Sequence, residues 1–207
     1  LVVADRIGIY VNSVFDNLEF HNGTSVMFVT LLYPIQVYGD LGGYSLIAIG
    51  VSKLLGIKVM HNFKRPFFAT SMSEFWRRWH ISLISWLTDY LYTPLTFNFR
   101  KYKIWGIVIS LMITFLLSGI WHGATMAFAF WGVLQGVLLS IEALTNKRKL
   151  ALVRKYNLKS NWLYVFISII TTYILFAITE VFGRGTDFSE AKIVFEKIFT
   201  TAGDLFI

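Results

Sequence analysis

The longest apolar stretch of the chain runs from Ile104 to Ile141, 38 residues without an Asp, Glu, Lys or Arg. As one helix it would be about 57 Å long, almost twice the ~30 Å hydrocarbon core of a bilayer. The stretch must therefore turn, and its loosest point is Ser118–Thr125, where two glycines flank a Trp-His pair. The pattern predicts two membrane-spanning helices, at about 104–120 and 126–141.

Two other stretches have the same apolar character. Residues 161–179 carry no charge and predict a third span. Residues 22–52 carry a single charge, Asp40, and are too long for one upright helix. They form either one long tilted helix or a pair of helices broken near Tyr38–Gly43.

The pattern changes over Phe67–Thr93, which mixes charged residues with aromatic ones. Ser71–Glu74 has the form of a capping box, which starts a helix at Met72, and Thr93-Pro94 is expected to end it. The stretch predicts an amphipathic helix over about 71–92 that lies in the membrane interface or re-enters the membrane. Its aromatic face, at helical spacing, consists of Phe75, Trp79, Leu83, Trp86 and Tyr90.

Composition extends this interpretation to the whole chain. Hydrophobic residues make up 56% and charged residues 15%, with a mean hydropathy of +0.60. These values predict an all-α, multi-pass transmembrane protein. The chain has no initiator Met and no visible signal peptide, so we expect an internal piece of a larger fold. Because the chain contains no cysteine, it can form neither a disulfide nor a thiol-based site.

Basic residues predict the orientation. Of the 19 Lys and Arg residues, nine lie within 53–103 and six within 147–159, beside the apolar stretches. By the positive-inside rule both regions face the cytoplasm, and the chain termini lie outside. The net charge of +7 thus indicates loops flanking a membrane rather than nucleic-acid binding.

Two histidines are the candidates for chemistry. His122 lies within the uncharged stretch, where an ionisable residue is costly and is treated as a functional-site candidate. A neutral imidazole there can take a proton from a hydroxyl. The alternative is a solvated histidine at a helix junction. His80 lies among tryptophans, and its alternative is a buried histidine bonded to a neighbouring carbonyl.

Asp40 could orient a histidine or pair with a buried Arg. The chain has no phosphate-binding glycine loop, no Gly-x-Ser-x-Gly and no His-Glu-x-x-His motif. Two distant histidines without further ligands do not predict a metal.

Three segments carry a family resemblance. They read Phe-Trp-Arg-Arg-Trp-His-Ile-Ser-Leu over 75–83, Trp-Leu-Thr-Asp-Tyr-Leu-Tyr over 86–92 and Ser-Gly-Ile-Trp-His-Gly-Ala over 118–124. They closely resemble the membrane-bound O-acyltransferase family. The nearest branch resembles the alginate O-acetyltransferase membrane subunits and their polysaccharide and peptidoglycan relatives, followed by the D-alanyl-teichoic-acid transferases. Shorter matches extend from residues 2–6 to 188–191.

The resemblance implies transfer of an acyl group, most simply acetyl, from a thioester such as acetyl-CoA or a loaded acyl carrier to a hydroxyl of a cell-envelope polysaccharide. It implies no bound cofactor, a location in the plasma or inner membrane, and an acyl carrier protein or an extracytoplasmic acyltransferase as partner. His122 is then the base, and His80 positions or polarises the acyl carbonyl. Residues expected to bind substrate or support the site are Trp121, Trp79, Arg78, Asp89 and Asp40.

Departures from the family pattern concern the substrate. Residues 95–100 read Leu-Thr-Phe-Asn-Phe-Arg where the alginate branch commonly has Leu-Gly-Gly-Asn-Arg, and Gln135 and Leu46 stand where many relatives have His and Asp. D-alanyl transfer to teichoic acid is the alternative acyl transfer. A membrane transporter and a non-catalytic scaffold are the alternatives from other classes, although no inverted repeat favours a transporter.

Overall fold

The structure is a computed structural model that describes residues 2–184 and 187–201. These residues form helices and connecting turns, without a strand in the described ranges, as the apolar pattern predicts. The α-helices are α1 Val2–Phe15, α2 Gly23–Leu54, α3 Met72–Trp76, α4 Ile81–Leu87, α5 Thr93–Asn98, α6 Ile104–His122, α7 Met126–Lys155, α8 Trp162–Gly183 and α9 Phe188–Thr201. A π-helical turn, Thr88–Tyr92, joins α4 to α5.

The chain divides into two compact units. Among the described residues the first comprises 2–60, 125–127, 176–184 and 187–201, and contains α1, α2, α9 and the end of α8. Apolar side chains of these helices, together with one between α1 and α2, are buried against one another and form the core of this unit. They are Val11, Val14, Phe15, Leu18, Val26, Val29, Val181, Ala191 and Val194.

One helix, α2, covers the long apolar stretch of the first unit. It begins at Asn22, whose side chain accepts a hydrogen bond from Ser25 N at 2.9 Å. It continues for 32 residues without a break at Tyr38–Gly43. Of the two arrangements left open by the sequence, the single long helix is therefore the one observed.

The second unit comprises residues 61–124 and 128–175. In it α6 and α7 form a tight hairpin. A Cβ atom at Gly132 would collide with the carbonyl oxygen of Phe115 and lie 3.2 Å from Gly119 Cα. Such close backbone contact through small residues is typical of membrane helices. The prediction that Gly119 loosens the helix is wrong, because α6 continues to His122. Without a side chain, Gly119 instead allows the backbone of α7 to pack closely against α6.

Three helices in the described part of the chain, α6, α7 and α8, are long and apolar enough to cross a membrane. They cover the spans expected at 104–120, 126–141 and 161–179. Helix α7 extends beyond its apolar half to Lys155, so that it ends in a basic segment. Helix α2 is not among these three, and its membrane crossing stays a prediction.

The single helix expected over about 71–92 is wrong. Helix α3 ends at Trp76, and α4 begins after His80, which adopts left-handed backbone angles, φ 46° and ψ 51°. The capping box does start α3, since Ser71 accepts from Glu74 N. Pro94 does not end the helical path: it lies in the first turn of α5, where its missing N–H costs little, and the wider π turn precedes it.

Candidate active site

His122 is the last residue of α6 and is exposed at the end of the hairpin. The turn formed by Gly123–Thr125 allows α7 to return beside it. Its ring packs edge-on against Trp131 of α7, with centroids 5.1 Å apart, and stacks on Phe128 at 6.2 Å. No hydrogen bond occupies its imidazole within the described residues. Both ring nitrogens are therefore available to a substrate.

His80 lies in the turn between α3 and α4 and is half-buried. Burial lowers the pKa of His80 below its usual 6.5, so the neutral imidazole is favoured at pH 7. Its Nδ1 atom is buried and has no hydrogen-bond partner in the part of the chain that the structure describes. The alternative of a buried histidine bonded to a neighbouring carbonyl stays a prediction, since a hydrogen bond to the backbone of His80 itself partly offsets the effect of burial on its pKa.

An aromatic cluster connects the two histidines. Trp131, which contacts His122, lies 5.9 Å from Trp76 of α3. The Trp76 ring contacts Phe75, with centroids 5.6 Å apart, and Phe75 in turn contacts Trp79 at 5.4 Å. The last contacts are Phe63 with Trp79 at 5.1 Å and Phe63 with His80 at 6.4 Å. The two imidazoles are close enough to interact electrostatically.

Trp131 and Gln135 belong to this cluster and were not predicted as site residues. Gln135 is fully buried one turn beyond Trp131, and its Oε1 accepts a hydrogen bond from Trp76 Nε1 at 3.4 Å. A signal was present in the sequence, because Gln135 is the single Asn or Gln in the uncharged stretch 104–141. A buried amide in such a stretch needs a polar partner.

The five predicted support residues are placed differently. Trp79 is buried in the aromatic cluster, and Trp121 contacts His122 at 4.9 Å but is largely exposed. Arg78 pairs with Glu74 at 2.5 Å and donates to the Arg65 carbonyl, so it stabilises the turn around His80. Asp89 is exposed on the π turn. Asp40 belongs to the first unit and is exposed on α2.

Glu74 organises the residues that precede this turn. Burial would raise its pKa, but hydrogen bonds from Thr70 N and Thr70 Oγ1, both 2.8 Å, together with Arg78, bring the pKa below its usual value. Glu74 is therefore ionised at neutral pH. The capping-box residue thus connects the start of α3 to the Arg78 side of the turn.

A polar pocket of about 590 Å³ adjoins α3 on the side of the basic segments. Glu142 of α7 anchors one wall, accepting from Ser73 Oγ at 2.6 Å and from Ser73 N at 3.1 Å. Arg77, Lys149 and Lys159 also line it, and none of these cations forms an ion pair with a described residue. Since hydrogen bonds already engage its two carboxylates, the pocket suits an anion.

A second, mainly apolar pocket of about 300 Å³ shares Ser73 and Arg77 with the first. Trp76, Thr114 and Phe115 are among its lining residues, so it adjoins the aromatic cluster. Thr114 is buried, and its hydroxyl has no hydrogen-bond partner among the described residues. The polar pocket and the apolar pocket are thus neighbours, and the apolar one borders Trp76 of the aromatic cluster.

Comparison with known proteins identifies the family of the chain. The model of the family described as MBOAT, membrane-bound O-acyltransferase, matches residues 15–184. The chain belongs to the membrane-bound O-acyltransferase family. Both histidines and the aromatic cluster lie within the matched residues. No group of three metal-binding side chains occurs in the described portion of this family member.

Curated relatives of this family member include the probable alginate O-acetylase AlgI of Pseudomonas putida, 38% identical over 70% of the chain and 29% of the relative. The peptidoglycan O-acetyltransferase of Helicobacter pylori is 38% identical over 68% and 26%. The teichoic acid D-alanyltransferase of Bacillus subtilis is 32% identical over 63% and 32%. The chain spans less than a third of the length of these relatives.

Proposed function

We propose that the chain provides the catalytic centre of an enzyme that transfers an acyl group, most simply acetyl, from a thioester to a hydroxyl of a cell-envelope polysaccharide. The observation that carries the proposal is the aromatic cluster that connects His122 with His80. Membership of the acyltransferase family and the acceptors named for its relatives, alginate and peptidoglycan, support the same reaction.

In the proposed reaction the acceptor hydroxyl attacks the thioester carbonyl directly. A ring nitrogen of His122 takes the hydroxyl proton while the new C–O bond forms. His80 polarises the acyl carbonyl on which negative charge develops. The C–S bond then breaks, and the leaving thiolate takes the proton held by His122. The chain has no cysteine, and no serine is paired with a histidine in the described residues, so the reaction proceeds without a covalent intermediate.

The two pockets support a thioester donor with a phosphorylated head. Arg77, Lys149 and Lys159 would bind its phosphates, as Lys and Arg side chains commonly do. The apolar pocket beside Trp76 would admit the arm that bears the acyl group. Acetyl-CoA and an acyl carrier protein with a phosphorylated arm share this chemistry. Either donor would approach from the cytoplasm, the side to which the basic segments are assigned.

The acceptor would approach His122 from the opposite side, at the exposed end of the α6–α7 hairpin. This arrangement makes the protein a multi-pass component of the inner or plasma membrane. An extracytoplasmic acyltransferase would be a partner that receives or passes on the acyl group. The exposed ring of Trp121, next to His122, offers a surface on which a sugar could stack.

His122→Ala tests the proposal. We expect ester-linked acetate on the envelope polymer to fall by at least about a hundredfold, since a general base contributes about 10²- to 10⁴-fold to the rate. Acetate is released from isolated envelopes by mild alkali and normalised to the amount of protein in the membrane. His21→Ala, a histidine of the first unit, is the matched control and should retain wild-type acetylation.

Unchanged acetylation in His122→Ala would contradict the proposal and favour the scaffold or transporter interpretation. The same alkali extract distinguishes a second acyl group, because the relatives of Bacillus subtilis and Streptococcus thermophilus are teichoic acid D-alanyltransferases. The wild-type envelope could release ester-linked D-alanine and no acetate, and His122→Ala could lose that D-alanine. This result would reassign the donor to a D-alanyl carrier.

A further inference from the structure

The turn that holds His80 forms without the help of its own side chain. The residue preceding a helix ordinarily accepts, through its side chain, a hydrogen bond from an N–H group of the first turn. His80 occupies that position at the start of α4 but makes no such bond. The first N–H groups of α4 must therefore find acceptors elsewhere.

Asn62 supplies two of these acceptors. Its backbone carbonyl accepts from Ile81 N at 2.9 Å, and its side-chain Oδ1 accepts from Ser82 N at 3.0 Å. A residue far earlier in the chain thus caps α4 in place of His80. The imidazole of His80 is left available for another use.

The segment that contains Asn62 also contacts the other side of the turn. Lys64 N donates to the Arg78 carbonyl at 2.9 Å. Between these bonds the Phe63 ring packs against His80 and Trp79. The segment 62–64 therefore holds the turn both before and after His80.

We propose that Asn62 is a positioning residue that holds His80 in the orientation used for acyl transfer, an inference that rests on the proposed function. Left-handed backbone angles at a residue other than glycine are strained and persist only where the surroundings enforce them. The two hydrogen bonds from α4 to Asn62 provide that constraint. They also replace the cap that His80 would otherwise have to supply.

Three variants test this role in the full chain in its own membranes. Asn62→Ala removes the side-chain acceptor, and Asn62→Asp keeps an oxygen at the same place. Asn161→Ala is the matched control, since Asn161 Oδ1 accepts from Leu163 N at 3.0 Å and Tyr164 N at 3.3 Å at the start of α8. It removes a comparable cap at a helix start remote in sequence from the His80 turn.

The first readout does not depend on acyl transfer. Diethyl pyrocarbonate labels accessible imidazoles, and the labelling rate of the His80 peptide is measured by mass spectrometry. We expect Asn62→Ala to raise this rate about fivefold, because losing a cap opens the turn locally. Asn62→Asp and Asn161→Ala should label His80 at the wild-type rate. An unchanged rate in Asn62→Ala would overturn the inference whatever the activity.

The second readout is ester-linked acetate per membrane-embedded protein. Misplacing a reacting group by about 1 Å costs about a hundredfold, so we expect a loss of about ten- to a hundredfold in Asn62→Ala. Asn62→Asp should recover most of it. Equal loss in Asn161→Ala, or no recovery in Asn62→Asp, would make Asn62 merely structural. If His122→Ala leaves acetylation intact, the proposed function fails, while the labelling result still decides the role of Asn62.

Discussion

At the scale of single residues, the two histidines differ in how they are held. His122 ends a helix and is positioned by ring packing alone among the described residues, whereas His80 lies in a strained turn fixed by hydrogen bonds from neighbouring backbone. A base that moves between hydroxyl and thiolate benefits from the first arrangement. A group that must keep one geometry against a carbonyl benefits from the second.

The buried state of His80 predicts a pH dependence of stability. Its pKa is lowered in the folded protein, so as pH falls below about 6.5 the unfolded chain takes up a proton that the folded chain resists. Stability is therefore unaffected by this group at higher pH and decreases as pH falls from about 6.5 toward the lower folded pKa. We expect His80→Gln to lose less thermal stability than the wild type between pH 7.5 and about 5.

The measurement is the thermal midpoint of the detergent-solubilised protein across that pH range. His122 is present in both proteins but interacts electrostatically with His80, so the difference between the two curves reports His80 together with that interaction. Parallel curves would show that protonation of His80 does not oppose folding.

At the scale of elements, the α6–α7 hairpin depends on glycine. Gly132→Ala would place a methyl group against the Phe115 carbonyl, with Gly119 Cα only 3.2 Å away, and backbone cannot move aside as a flexible side chain can. We expect a loss of about 2 kcal/mol or more in the free energy of unfolding, the range of overpacked cores. Accumulation of folded protein in membranes and the thermal midpoint report it.

Gly50→Ala is the matched control, because nothing lies within 4 Å of a Cβ at that helical position. It should leave stability unchanged or raise it by about 0.5–1 kcal/mol, the difference in helix propensity between glycine and alanine. Similar losses in both variants would mean that helix propensity, rather than the close hairpin contact, determines the effect.

At the scale of the whole molecule, single cysteine replacements can measure the predicted orientation, because these 207 residues contain no cysteine of their own. Single replacements Lys101→Cys and Lys155→Cys lie in the two basic regions, and Ala124→Cys lies in the turn after His122. We expect a membrane-impermeant maleimide to label Ala124→Cys in intact cells and the other two only after the cytoplasm is opened. The parent without these replacements gives the background, and labelling of all three from one side would contradict the assignment.

The sequence predicted the long helices well and the site partially, for a physical reason. Apolar runs are a local property, so α6, α7 and α8 could be identified from hydropathy alone. The turn at His80 could not, because Asn62, which caps α4, is distant in sequence from it. Pro94 was predicted to end the helix, but a π turn precedes it and Pro94 lies in the first turn of α5, where proline is tolerated. Trp131 was missed because its role comes from packing between helices, which no periodicity within one helix indicates.

The continuity of α7 has a consequence for which donors the proposed reaction would accept. Trp131, beside His122, and Glu142, in the wall of the polar pocket, lie on one rigid rod, and their separation along its axis is roughly 16 Å. The helix therefore fixes the distance between the residue beside His122 and the wall of the polar pocket. In the proposed function, a thioester whose phosphorylated head lies in the polar pocket that Glu142 borders reaches His122 only if its tether spans at least that distance, so selection between donors would depend on tether length before it depends on the acyl group.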